Sequence, residues 1–116
     1  MNKQTIAALI AGAEKWDRNA LAKVPEDAKI GGDSCELCRM FAKDGCGRCP
    51  VMMKSGQDGC MSTPWERACD ALCDWDECGQ WAGGNEIRNA RGRFRRAAKA
   101  EAKFLRSLIP AEGATA

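Results

Sequence analysis

Histidine is absent from the 116 residues. That excludes a Ser-His-Asp triad, a Cys-His nucleophile pair and any imidazole-ligated metal. Large apolar side chains are scarce: two Val, five Ile, six Leu, five Met, three Phe and four Trp, against 19 Ala. The length suits one domain (residues 1–116). Its core must be thin, so covalent or metal staples are expected to support it. No apolar run approaches the roughly 18 residues a membrane-spanning helix needs. Charge of one sign is missing too, since 18 Lys and Arg against 16 Asp and Glu leave a net +2. The sum gives no global case for nucleic acid; the distribution says more.

What is abundant is cysteine, with eight residues. An even count in a short secreted chain reads as disulfides, and the same count in a cytosolic chain reads as metal. The N-terminus decides between them. Met1-Asn2-Lys3 followed by Ile6 to Ala13, with Ala11-Gly12-Ala13 as a small-residue site, has the outline of a signal peptide. Its apolar stretch is short, however, and Ile6, Leu9, Ile10, Ala13, Trp16 and Ala20 carry one helical stripe straight through the cleavage point. The expectation is an intracellular chain with reduced thiols.

Four stretches separate along the chain. Residues 5–23 read as an amphipathic helix ended by Val24-Pro25, because the residue before proline is pushed out of the helical region. Residues 26–34 form a linker. Residues 35–60 hold five cysteines and four glycines with almost no periodicity, the pattern of a loop-rich knot. Thr63-Pro64-Trp65-Glu66 is a strong helix start, with a capping Thr, a first-turn Pro and a Glu that can close a capping box. That helix is expected over 63–76, with Gly79 and Gly83-Gly84 breaking the chain behind it. Asn85 can cap a last helix over 86–109, which Pro110 stops and Gly92 weakens. Phe94, Ala97, Ala98, Leu105, Leu108 and Ile109 share one face of it.

The resulting expectation is a small α-rich domain. Its N- and C-terminal helices pack antiparallel through Ile6, Leu9, Ile10, Ala13 and Trp16 against Phe94, Ala97, Leu105 and Leu108. A zinc-stapled, loop-rich cysteine knot and a short middle helix complete it.

Cys35-Glu36-Leu37-Cys38 and Cys46-Gly47-Arg48-Cys49-Pro50 are two C-x-x-C units separated by seven residues. Thiolates at i and i+3 reach one ion from a tight turn, and two such turns make a tetrahedral site. Structural zinc at Cys35, Cys38, Cys46 and Cys49 is the leading expectation. A disulfide set and an iron–sulfur cluster stay open, since four cysteines do not discriminate among them. Cys60, Cys69, Cys73 and Cys78 form a less regular second set, with Cys69 and Cys73 on one helix face. They offer a second zinc site, though Cys69 also suits a small buried apolar position and Cys60 can compete for the first site.

Arg88, Arg95, Arg96, Lys99, Lys103 and Arg106 fall within about 100° on the last helix, opposite its apolar face. The preceding helix is acidic through Glu66, Asp70, Asp74, Asp76 and Glu77. The basic stripe is a candidate partner surface or a solvated face that complements the acidic helix. No aromatic lies on it, so base stacking is unsupported. Glu101 sits on the apolar face; buried, it needs a partner, and Lys15 or Arg18 are the candidates. Trp75 and Trp81 lie near glycines, as core cover or as an exposed anchor.

Taken together, Trp16 on the leading helix, C-x-L-C, C-x-x-C-P-V, G-C-x-x-T-P-W and Phe104-Leu105-Arg106-Ser107-Leu108-Ile109-Pro110 resemble a family of small cysteine-rich proteins of tailed phages and prophages. Cys35, Cys38, Cys46, Cys49 and Cys60 match its pattern, and Cys69, Cys73 and Cys78 do not. The resemblance carries no activity. It implies a phage setting, the cytoplasm of a bacterial host, and action by binding host or immune-defence machinery. The expected function is therefore non-enzymatic: a zinc-stabilised modulator or inhibitor of a host or defence protein complex. The alternative is a nucleic-acid binder using the basic C-terminal helix. No base, oxyanion donors or open metal position mark an enzyme.

Overall fold

The computed structural model describes residues 2–30, 37, 40, 50, 63–81 and 83–110. Cys35, Cys38, Cys46, Cys49 and Cys60 lie outside them, and so do most of the knot and the first metal site expected there. The described residues form three α-helices and no strand: α1 (Lys3–Asn19), α2 (Pro64–Trp81) and α3 (Gly84–Ser107). A 3₁₀ turn at Pro25–Asp27 follows α1.

α1 begins two residues earlier than the periodicity suggests, because the Asn2 side chain accepts the Thr5 N–H at 2.8 Å. It stops at Asn19 rather than at residue 23. There the Asn19 carboxamide takes the Lys29 N–H and donates to the Lys29 carbonyl, both at 3.0 Å. This paired bond folds the chain back beneath the helix end.

The buried face of α1 is also rotated from the expected one. Thr5, Ala8, Leu9, Gly12, Ala13, Trp16 and Asn19 are buried, while Ile10 is 41% exposed and Ile6 only half-buried. Small residues at 5, 8 and 12 explain the rotation, for they let α3 approach closely. A Cβ placed on Gly12 would stand 3.2 Å from Leu105 Cδ1. Branched Ile10 cannot occupy so narrow a gap and turns outward.

α2 runs five residues past its expected end, through Gly79, to Trp81. Its start matches expectation, with the Trp65 N–H donating to Thr63 Oγ1 at 3.3 Å. The Trp65 indole N–H reaches back to the Ile30 carbonyl at 3.0 Å and ties this start to the strap after α1. α3 is one helix across Gly92. Gly83, extended, precedes it in the N-cap position that Asn85 was expected to hold, and Leu108 and Ile109 fall beyond its end.

Ala68, Ala71 and Trp75 of α2 close on Ala90, Phe94, Ala98, Ala102 and Leu105 of α3, and Leu9, Ala13 and Trp16 of α1 complete the core. Trp75 is core cover, the first of the two roles expected of it; its ring centroid is 5.7 Å from that of Phe94 in a tilted pair. Phe94 and Leu9 are the largest fully buried side chains. Each contributes about 1.5–3 kcal/mol by leaving water. Gly12 of α1 lies beside Leu105 and Ala22, just past the end of α1, lies beneath Arg95, the opposite chain order that antiparallel packing gives. Leu37, Met40 and Pro50 have helical backbone where turns were expected. Leu37 is buried in the core and Met40 packs against it.

Candidate functional site

The stripe of α3 is not uniformly free. Arg95 turns back and donates from Nε and Nη2 to the Ala22 carbonyl, at 3.1 and 2.7 Å. Arg106 forms a forked pair with Asp17 of α1, at 3.2 and 2.5 Å. The guanidinium beside Asp17 holds that carboxyl below its usual range, and the same hydrogen bond raises the Arg106 pKa. Arg88 donates to Asn85 one turn back. Arg96, Lys99 and Lys103 are exposed. The six expected partner-binding cations therefore divide: Arg95 and Arg106 clamp α3 to α1 and its exit, and Arg88, Arg96, Lys99 and Lys103 face solvent.

Beside these cations, α2 and α3 frame an open groove of about 510 Å³. Its floor is Ala71, Ala97 and Ala100, small residues at helical spacing that keep the helices close. Asp70 and Asp74 stand on one wall, with Arg67 at its end, and Arg93 and Arg96 on the other. Among the described residues no ion pair joins these walls. The groove was missed as a unit in the sequence. Its signal was present, with acids at i and i+4 on α2, arginines at i and i+3 on α3, and alanines between.

α3 also carries a buried carboxylate. Glu101 is 3% exposed and its Oε1 has no hydrogen-bond partner. Burial pushes its pKa up to about 7, and Lys15 of α1 opposes the rise. Of the two partners expected, Lys15 is buried and Arg18 is exposed.

Cys69 of α2 lies close enough to feel both charges. Its thiol is pushed up to about 11, first by burial, then by Cys73, Asp70 and Glu101, with Lys15 opposing. A thiol held so high stays protonated at neutral pH and is a poor nucleophile.

Cys69, Cys73 and Cys78 are free thiols. Because α2 continues past residue 76, Cys78 belongs to the helix instead of the loop after it. At about 100° per residue it is turned roughly 140° from Cys73 around the axis. The helix brings Cys69 and Cys73 to one face and carries Cys78 to another. Among the described residues no group of three or more Cys, Asp or Glu could hold a metal ion. Also among them, no helix is long and apolar enough to cross a membrane. Compared with family models, curated proteins and solved structures, the chain matches none.

Proposed function

We infer that this chain is a non-enzymatic, zinc-stabilised accessory protein of phage type that binds and modulates a host or immune-defence protein complex in the bacterial cytoplasm. The division of the α3 cations carries the reading. Two of the six expected contacts, Arg95 and Arg106, are engaged within the fold, which shortens the stripe available to a phosphate backbone. Arg96, still exposed, lines one groove with Asp70 and Asp74, also exposed. Carboxylates there repel a uniformly negative duplex, whereas a protein with mixed charges can satisfy both signs. Zinc is assigned to Cys35, Cys38, Cys46 and Cys49 on the spacing of the two C-x-x-C units. Cys60 with Cys69 and Cys73 supplies thiols for a second ion, and Cys78 is the weakest member of that set.

Titration of duplex DNA at about 50 mM salt separates the two functions. No binding is expected. Binding that falls steeply as salt rises, with several counterions released, would assign the chain to nucleic acid instead.

A further inference from the structure

We propose that the groove between α2 and α3 is a self-association surface, and that its occupant is the same groove of a second copy of this chain. The two walls carry opposite charge, Asp70 and Asp74 on α2 facing Arg93 and Arg96 on α3, and these four side chains are exposed. They lie beside one floor yet form no ion pair across it. Each wall is therefore available to a charge from outside.

Symmetry then selects the partner. A two-fold axis running along the groove turns the molecule face to face with itself and exchanges left for right. It sets each acidic wall on the other copy's basic wall and keeps the helices parallel. An axis across the groove would set acid on acid. The alanine floor, Ala71 with Ala97 and Ala100, presents no large side chain to hold the two surfaces apart. Arg67, at the end of the acidic wall, is the one charge in the groove that departs from this pattern. Association of this kind rests on exposed ion pairs, so it is weak, reversible and opposed by salt. The partner reading rests on Arg88, Lys99 and Lys103; Arg96 and the acids Asp70 and Asp74 are common to both.

Sedimentation equilibrium of the full chain over a dilution series is the test, at low and at high salt. The parent protein is expected to dimerise at low salt and to dissociate as salt rises. Asp70→Lys with Asp74→Lys makes both walls basic, and Arg93→Glu with Arg96→Glu makes both acidic. Each double variant alone should associate about tenfold or more weakly than the parent. Mixed in equal amounts, the two should form a heterodimer, because every wall again meets its opposite. If a reversed variant loses its helical signal, Asp70→Asn with Asp74→Asn and Arg93→Gln with Arg96→Gln replace it, and each should weaken the dimer. A parent that stays monomeric at every concentration would overturn the inference. So would folded reversed variants that fail to pair with one another, or a dimer unmoved by any of these changes. None of these outcomes touches the Arg88, Lys99 and Lys103 reading, which has its own assay.

Discussion

Glu101 is held where ionisation is costly. Its carboxyl lies in the core with one oxygen unpartnered, and the upward pull of burial exceeds the opposing attraction of Lys15. A carboxyl raised from 4.5 to about 7 binds its proton more tightly folded than unfolded. The folded state is therefore favoured at low pH, and that advantage is lost as pH rises from about 4.5 through 7. Above pH 7 the full penalty applies. Glu101→Gln keeps the shape and removes the charge. Chemical denaturation at pH 8 should show it more stable than the parent by about 1–3 kcal/mol, with the difference shrinking toward pH 5. A variant less stable than the parent at pH 8 would mean that the ionised carboxylate is well paired with Lys15.

The neighbouring thiols report on the same environment. Where no second ion holds them, Cys69, pushed up to about 11 and half-buried, should alkylate far more slowly than exposed Cys73 at pH 8, as read by peptide mass spectrometry. Equal rates would contradict the burial of Cys69. The sequence already placed Glu101 on the apolar face and named Lys15 as a candidate partner. It did not reveal that Arg95 and Arg106 turn back onto α1 and its exit, because those bonds join residues 73 and 89 positions apart.

The helices themselves show where local signals were enough and where packing overruled them. The start of α2 was legible because a Thr-Pro pair acts on its own first turn. Its end was not: Gly79 reads locally as a break, costing about 1 kcal/mol inside a helix, and the helix passes through it. Gly92 of α3 is a second case of the same kind. The two interior glycines of α1 and α3 make opposite predictions. At Gly92 a Cβ would meet only the mobile end of Arg96, at 3.3 Å. Gly92→Ala should therefore raise the stability by about 0.5–1 kcal/mol through helix propensity. At Gly12 a Cβ meets Leu105 in the core at 3.2 Å, so Gly12→Ala should destabilise by about 1–3 kcal/mol. Thermal denaturation of the pair reads both signs. A stabilising Gly12→Ala would show that the approach of α1 to α3 has room to spare. The same close approach explains why Ile10 faces outward although the periodicity places it inside. A stripe of apolar residues does not specify which of its two edges the partner helix prefers.

At the scale of the molecule, three helices with alanine-rich contacts bury few large side chains, as the composition implied. Metal coordination is the complement proposed for so thin a core. Elemental analysis of the purified chain should find one or two zinc ions per molecule. Removal by a chelator should abolish cooperative unfolding, since a structural zinc site supplies about 10–16 kcal/mol of apparent binding energy coupled to folding. Eight oxidised cysteines and no metal would replace this picture with a disulfide framework. The central claim is that the exposed cations of α3 engage a protein. Capture from a nuclease-treated bacterial lysate, comparing the parent with a variant carrying Arg88→Glu, Lys99→Glu and Lys103→Glu, tests it most directly. These three residues are exposed, so the helical signal should survive the reversal. The account predicts a protein retained by the parent and lost from the variant. Capture that needs nucleic acid, or capture unchanged by the three reversals, would contradict it.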